Sequence, residues 1–260
     1  MLKEESRFAP SNVMEGMVSI RAVISSIDEG KSDRKIEKVL FDREKAKSHK
    51  GELGYLRAVS EKYGYEFCES CEEEISPLTT GNSHGGIIAL CSGRSYPILK
   101  SEDIKKDGFY MLLEGIEDPY NFGYAIRSIY AAGVDGIILS PRNWLSASGV
   151  VCRASAGASE RVDFYICDSE SVVDIFHSAG YTVYCAEKEN AVSIYETALA
   201  RPLFIIVGGE KRGISKAISD KCDKKICLDY GRDFPQALSA ASAASIIAFE
   251  TYRQTGRAKS

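Results

Sequence analysis

One stretch constrains the fold of this chain more than any other, and it reads Phe204-Ile-Ile-Val-Gly-Gly-Glu-Lys-Arg-Gly-Ile-Ser215. A short apolar run followed by glycines is typical of a buried strand that ends in a turn of a parallel α/β sheet. Ligands of such sheets bind at the carboxyl ends of strands, where glycine lets backbone amides approach closely. We therefore predict a strand from Phe204 to Val207 and a ligand site beside Glu210. A plain strand-to-helix turn is the alternative.

This glycine turn matches neither of the two common nucleotide-binding loops. A phosphate-binding loop needs a lysine directly after its second glycine, whereas Ile214 follows Gly213 and precedes Ser215. The spacing also differs from the G-x-G-x-x-G of dinucleotide-binding turns. We therefore predict neither a nucleoside triphosphate site nor a dinucleotide site here.

Strand-like and helix-like segments alternate after residue 107. Phe109 to Leu113 predicts a strand, which is followed by a helix that ends at Gly133 and by a strand from Val134 to Leu139. This β-α-β unit predicts an α/β fold with a parallel sheet. Asp118 or Asn121 is expected to cap the helix. The alternation continues with predicted strands at 162–167, 181–186, 203–207 and 224–228, and with predicted helices at 171–179 and 237–254.

Residues 1–98 have the pattern of a separate small α/β domain, followed by a linker at 99–106 and a second domain at 107–260. The predicted elements of the first domain are helices from Val18 to Ile27 and from Asp42 to about Tyr63, with strands at 36–41, 65–68 and 86–91. The second helix begins with a basic cluster that could contact phosphates, although a solvated helix face is the favoured alternative. That cluster consists of Arg43, Lys45, Lys47 and Lys50.

Composition limits the classes of function that remain. The net charge is −4, so a nucleic-acid-binding role would depend on a local basic patch. No stretch approaches the roughly 18 apolar residues of a membrane helix, and the segment from Met1 lacks the apolar core of a secretion signal. We therefore expect a cytoplasmic protein without a membrane partner. The eight cysteines are scattered, and the C-x-x-C of Cys68 and Cys71 has no second pair, so no metal is predicted.

Three segments, taken together and in order, resemble the motifs of the SpoU/TrmH-type branch of the SPOUT RNA methyltransferases. The first, from Asp118 to Ser128, has an asparagine, a glycine and an arginine at the family's spacing. The second, from Val207 to Ser215, has a glycine, a glutamate and a further glycine, and the third runs from Leu228 to Gln254. The resemblance covers about 107–254, and Ala154 to Ala158 is also similar to the family. Residues 1–100 more weakly resemble the RNA-binding unit that often precedes the catalytic domain.

The resemblance implies a homodimeric enzyme that uses S-adenosylmethionine to methylate a ribose 2′-hydroxyl of structured RNA, either rRNA or tRNA. It also implies a deep trefoil knot in the C-terminal domain. The homodimer is expected to form through the same domain. The implied catalytic residues are Asn121, Arg127, Glu210 and Ser239. The implied cofactor-binding residues are Gly208, Gly209, Glu210, Gly213, Leu228, Leu238 and Ser239.

The implied roles agree with the chemistry of these side chains. An arginine is almost never neutral in a protein. We therefore expect Arg127 to hold the neighbouring phosphate and to stabilise negative charge that develops on the hydroxyl. Asn121 would orient that hydroxyl, and Glu210 would fix Arg127 in a two-pronged ion pair.

The third motif departs from the family pattern. The family typically has Ser-Leu-Asn-Val-Ser where this chain has Ala237-Leu-Ser-Ala-Ala241, and the preceding loop is about two residues longer and lacks the customary Ile-Pro pair. An alternative is therefore a non-catalytic RNA-binding protein of the same fold. A small-molecule α/β enzyme that uses another nucleotide is a third hypothesis, disfavoured by the missing nucleotide-binding signatures.

Overall fold

The computed structural model describes residues 12–80, 84–140, 147–168 and 171–256. The segment from Met1, which was said to lack the pattern of a secretion signal, lies outside these ranges. The described chain divides into two compact units. Among the residues described, no helix combines the length and the hydropathy that a membrane span requires.

The elements up to residue 95 form a small α/β arrangement, which contains a short first strand and a four-residue helix that were not predicted. They are β1 (Val13–Glu15), α1 (Gly16–Asp28), β2 (Ile36–Asp42), α2 (Lys50–Tyr63), β3 (Glu66–Ser70), α3 (Glu72–Ile75) and β4 (Ile87–Cys91). Their sheet has the strand order β1-β4-β2-β3. Strand β4 is antiparallel to both of its neighbours, whereas β2 and β3 are parallel.

The later part of the chain alternates between strands and helices. Its elements are β5 (Phe109–Glu114), α4 (Pro119–Ala131), β6 (Gly136–Leu139), α5 (Ser148–Ala154), α6 (Ala158–Arg161), β7 (Phe164–Ile166), α7 (Val172–Ser178), β8 (Thr182–Ala186), β9 (Val192–Ser193), β10 (Leu203–Gly208), α8 (Lys216–Ser219), β11 (Lys224–Cys227) and α9 (Ala240–Thr255). The seven strands form one sheet in the order β7-β6-β5-β10-β8-β11-β9. Every pairing in it is parallel, which confirms the predicted parallel α/β fold.

Strand β10 lies in the middle of the parallel sheet, between β5 and β8. Val207 is in register with Leu113 on one side and with Ala186 on the other. The side chains of β10 from Leu203 to Ile206 are fully buried, and the Phe204 ring stacks on Phe176 at 3.9 Å between centroids. This burial on both faces explains why the strand appears in the sequence as an unbroken apolar run.

The first unit includes a segment that the sequence analysis assigned to the second domain. Described residues up to Ser95 form one compact unit with the segment that contains α5 and α6 and ends at Arg161. Both of these helices pack on α1, and Cys152 of α5 is part of the same apolar core as Ile20 and Val23. At Gly157, an added Cβ would lie only 2.5 Å from the Ala22 Cβ. By its contacts, this segment therefore belongs to the first unit.

The helix predicted from Asp42 begins eight residues later, at Lys50. The cause is Asp42 itself, which still pairs with Ser70 as the last residue of β2. Its carboxylate accepts a hydrogen bond from the Glu44 N–H at 3.0 Å, and the Lys45 N–H bonds the Asp42 carbonyl. An aspartate that bonds nearby backbone in this way favours a turn over a helix. Residues 43–49 are therefore a series of turns.

Candidate active site

A cleft of about 650 Å³ lies at the carboxyl ends of β8, β10 and β11. Since these strands are parallel, their carboxyl ends meet at one edge of the sheet. The lining comes from four segments, which are 186–189 after β8, 207–214 at the end of β10, 226–230 at the end of β11, and 237–247 leading into and along α9, with Ile194 in addition. The cleft is therefore built where the glycine turn predicted a ligand site.

Six of the seven predicted cofactor-binding residues line this cleft. They are Gly208, Gly209, Glu210, Gly213, Leu228 and Leu238. The seventh, Ser239, is not among the lining residues and caps α9 instead. Its Oγ accepts a hydrogen bond from the Ser242 N–H at 3.1 Å and lies 3.0 Å from the Ser242 Oγ.

The glycines of the turn are required by backbone packing. The Gly213 N–H donates to the Gly209 carbonyl at 2.9 Å, and Gly213 has a φ of +61°, which favours glycine. A Cβ on Gly208 would lie 2.5 Å from the Gly213 carbonyl carbon and 2.7 Å from the Ile214 nitrogen. A Cβ on Gly209 would overlap the Gly115 carbonyl. The turn therefore folds back on itself more closely than any side chain allows.

A smaller recess of about 130 Å³ contains Asn121 and Glu210 together. Glu210 and Ala240 line both this recess and the larger cleft. Asp118 fixes the start of α4 here, because its carboxylate accepts from the Tyr120 and Asn121 N–H groups at 2.8 and 2.9 Å. Of the two capping alternatives, Asp118 is therefore the cap. The helix start holds the half-buried Asn121 beside the glycine turn.

Arg127 lies apart from both cavities of its own chain. It is exposed on α4, six residues after Asn121, which is roughly 9 Å along an ideal helix. It lines neither the cleft nor the recess. Arg127 and Glu210 are both described, and no ion pair joins them. The structure therefore brings Asn121 and Glu210 together but leaves Arg127 outside.

The cleft has charged groups of both signs around an apolar interior. Glu187, Glu189 and Glu210 contribute carboxylates, while Lys188 and Arg212 contribute cations. Burial raises the pKa of Glu187, but hydrogen bonds from Lys225 and Ser219 outweigh it and hold that pKa below its usual range. Leu228, Leu238, Ile194, Ile226 and Ile247 supply the apolar surface. Such a lining suits a ligand with one flat apolar part and one charged part.

Sequence reasoning missed the residues that follow β8 and the aromatic residue of the last loop. Glu187, Lys188 and Glu189 directly follow a predicted strand of the parallel sheet, so the rule that ligands bind at carboxyl ends could have found them. Tyr230 lines the cleft from a loop, and no pattern marked it. Within the described ranges, no group of three or more histidine, cysteine or acidic side chains could hold a metal ion.

The chain is similar to proteins of one family. The model of the SpoU rRNA Methylase family matches residues 108–249. A TrmH family tRNA/rRNA methyltransferase of Staphylococcus haemolyticus is 32% identical over 177 residues, which are 66% of this chain and 71% of that protein. Its counterpart in Staphylococcus aureus is 32% identical over 178 residues, again 66% of this chain and 71% of that protein.

Solved structures share the fold at lower identity. An rRNA methyltransferase from Sinorhizobium meliloti has a TM-score of 0.74 and 21% identity, and the match covers 97% of this chain and 90% of the other. The AdoMet-bound form of an rRNA methyltransferase from the same organism has a TM-score of 0.75 and 21% identity, covering 93% and 86%. The SpoU methyltransferase AviRb from Streptomyces viridochromogenes, in complex with AdoMet, has a TM-score of 0.73 and 19% identity, covering 94% and 90%.

Proposed function

The chain belongs to the SpoU rRNA methylase family of TrmH-type RNA methyltransferases, and from this premise we propose that it methylates a ribose 2′-hydroxyl of structured rRNA or tRNA. One observation carries the proposal. Residues of the second and third family motifs, which are separate in sequence, line a single cleft next to the recess that contains Asn121 of the first motif. The cleft would hold the methyl donor and the recess the acceptor hydroxyl.

The cleft residues fit S-adenosylmethionine. The volume of the cleft, about 650 Å³, lies within the roughly 300–1,000 Å³ range of small-ligand sites. Gly208 and Gly209 let the turn pack tightly at the wall of the cleft, and Leu228 and Leu238 offer an apolar slot for an adenine ring. When bound, the cofactor supplies the electrophilic methyl group. The AdoMet complexes of the Sinorhizobium and Streptomyces proteins, which share this fold, support the assignment.

The catalytic contribution of the protein is positioning and electrostatic stabilisation. Methyl transfer would join the ribose oxygen to the methyl group that the bound donor gives up, and the hydroxyl proton would pass to solvent water. Asn121 orients the hydroxyl in the recess beside Glu210. Arg127 binds the adjacent phosphate and stabilises the negative charge that develops on the oxygen.

A homodimer through the C-terminal domain is part of the proposal. The exposed face of α9 is apolar, with Ile246, Phe249 and Tyr252 between 37% and 48% exposed. Helix α4 packs on α9, and its Tyr124 is 52% exposed. Arg127 lies one helical turn after Tyr124, so pairing of these faces would bring Arg127 towards the second copy. That placement would explain why Arg127 lies outside the cavities of its own chain.

The trefoil knot also belongs to the proposal. Strand β10 inserts between β5 and β8, which precede it in the chain, and the last loop then returns to line the same cleft as the β10 turn. Both features fit a chain whose end is threaded through its own loops. Hydrogen exchange tests whether this returning loop binds the cofactor: the segment from 228 to 239 should exchange more slowly once S-adenosylmethionine is added.

RNA recruitment is proposed for the first unit, on a smaller basic surface than the sequence indicated. Lys45 bonds Glu72 at 2.5 Å and Arg43 lies 3.9 Å from Glu69, so acidic neighbours neutralise half of the cluster. Lys47 and Lys50 are exposed and form no ion pair with the described residues. These two lysines are the candidates for phosphate contacts.

Point variants test this recruitment better than truncation, because removing residues 1–100 would also remove the helix on which α5 and α6 pack. In Lys47→Gln/Lys50→Gln, RNA affinity should fall and the slope of log affinity against log salt should become shallower by about one unit per lost phosphate contact. The matched control is Lys62→Gln, whose ammonium already bonds Asp28 at 2.8 Å. An unchanged slope in the double variant would contradict the assignment.

The alternative of a non-catalytic RNA-binding protein is favoured by one observation. Ser239, which stands where the family has its motif-three asparagine, uses its hydroxyl to cap α9. Calorimetry with S-adenosylmethionine, followed by mapping of ribose methylation in rRNA and tRNA of a deletion strain, separates the two functions. A loss of one methylated ribose supports the enzyme. Failure of the protein to bind S-adenosylmethionine, together with an unchanged methylation map, would support the alternative.

A further inference from the structure

The loop of residues 229–238, between β11 and α9, borders the cleft without any helix or strand of its own. Tyr230, Ala237 and Leu238 line the cleft, whereas residues 231–237 are all exposed. An exposed loop with few buried contacts is normally among the least stable parts of a protein. Its shape at the cleft therefore depends on the bonds that tie it down.

The first tie closes the loop on itself. The Leu238 N–H donates a hydrogen bond to the Tyr230 hydroxyl at 3.1 Å, which spans eight residues. Both residues line the cleft, so the bond fixes the backbone of Leu238 at the cleft wall. The centroid of the Tyr230 ring also lies 6.2 Å from that of the Phe234 ring in the middle of the loop.

The second tie joins the loop to the segment that follows β8. Lys188 follows β8, and its Nζ donates to the Pro235 carbonyl at 2.8 Å. The same ammonium lies 5.6 Å from the centroid of the Tyr230 ring, within the range of a cation–π interaction. Lys188 therefore contacts both Pro235 and Tyr230. Since Tyr230 also accepts the hydrogen bond of the first tie, the two ties are connected through the side chains of Lys188 and Tyr230.

We propose that Lys188 and Tyr230 are positioning residues that latch the loop of residues 229–238 in the shape that binds S-adenosylmethionine. The inference rests on the proposed function. A loop that is already ordered loses less conformational entropy when a ligand binds, so the latch raises affinity without touching the reacting atoms. It also fixes Leu238 although the third motif lacks its usual asparagine, because the tie acts on the backbone.

Titration calorimetry of the full chain with S-adenosylmethionine tests the latch in two variants. Tyr230→Phe removes only the hydroxyl, and Lys188→Met removes the ammonium while keeping the aliphatic stem. Each should raise the cofactor Kd about fivefold, the factor expected from one hydrogen bond of ordinary strength. The matched control is Lys224→Met, because Lys224 also lies over a tyrosine ring, 5.9 Å from that of Tyr184, but outside the cleft lining. Its Kd should stay at the wild-type value.

Limited proteolysis with trypsin tests the latch in the protein without bound ligand. Arg232 is an exposed trypsin site within the loop, so both variants should be cut there faster than wild type while their melting temperatures stay unchanged. An unchanged Kd in both variants would overturn the latch. A tighter Kd in Tyr230→Phe would overturn it too, since the hydroxyl would then compete with the ligand for the Leu238 N–H. If wild type itself bound no S-adenosylmethionine, the proposed function would fail.

Discussion

Arg34 and Glu160 form a buried, two-pronged ion pair between parts of the chain that are 126 residues apart. Both guanidinium-to-carboxylate distances are 3.2 Å, and the side chains are 0% and 2% exposed. Arg34 also donates to the Ser92 carbonyl at 2.6 Å and to the Asn12 side chain at 3.2 Å. The first unit is therefore completed by a segment that lies within the family's methyltransferase match, and a fragment that ends at Ser95 lacks that partner.

Removing one charge of this pair should destabilise the protein strongly. Glu160→Gln leaves a buried guanidinium without its counter-charge, and we expect a loss of roughly 3–5 kcal/mol in the free energy of unfolding, measured with urea. The control is Glu66→Gln, which breaks the exposed pair with Lys38 and should cost less than about 1 kcal/mol. A loss below about 1 kcal/mol in Glu160→Gln would show that the buried pair contributes no more than an exposed one.

The cofactor site is better tested at Ala243 than at Gly208. A side chain at Gly208 would collide with the backbone of Gly213 and Ile214, so that variant distorts the turn as well as the cleft. Ala243→Met instead fills the cleft from α9 with a residue of high helix propensity. Its affinity for S-adenosylmethionine should fall by at least about tenfold, whereas its melting temperature should change by only a few degrees. Wild-type affinity would place the cofactor elsewhere.

The apolar face of α9 should control assembly. Phe249→Lys introduces a charge into the proposed interface, where the wild-type ring is 48% exposed. Sedimentation should show a dimer for wild type and a monomer for this variant, because burying an unpaired ammonium is costly. Val18→Lys, at a 61% exposed position of the first unit, serves as the control and should remain dimeric. A wild-type monomer at micromolar concentration would refute the dimer.

The sequence predicted the parallel sheet because its strands are buried on both faces and therefore stand out as apolar runs, as in Phe204 to Val207. It did not predict α5, whose seven residues are too short for a clear helical period, or the two-residue strand Val192–Ser193. The helix predicted from Asp42 to about Tyr63 exists as Lys50–Tyr63, but its predicted start was wrong, because a local hydrogen bond to the Asp42 carboxylate favours a turn. Local side-chain bonds of this kind override periodicity.

The site was predictable where it depends on the backbone. The glycines from Gly208 to Gly213 identify a tight turn at the end of a strand, and the structure places them in the cleft. The charged residues after β8 were predictable only as a position at a strand end, whereas the contact of Lys188 with Tyr230 is a tertiary contact across 42 positions that no local pattern reports. The cap at Asp118 was among the predicted alternatives, whereas the capping role of Ser239 was not predicted.

Arg127 is the residue on which the proposed chemistry depends most. Arg127→Ala should abolish turnover at saturating substrate while leaving the cofactor Kd nearly unchanged, because Arg127 lies outside the cleft lining. Arg127→Lys should restore little activity, since an ammonium lacks the planar two-pronged donor geometry. Lys106→Ala, which removes an exposed charge from the same unit, should keep wild-type turnover.

The most direct test is transfer of an isotope-labelled methyl group from S-adenosylmethionine to unmodified rRNA and tRNA by the purified protein, followed by nuclease digestion and mass spectrometry of the nucleosides. We predict label in one 2′-O-methylated nucleoside with wild-type protein and none with Arg127→Ala. Label in a base-methylated nucleoside, or no label in either RNA from protein that binds the cofactor, would contradict the proposed ribose methylation.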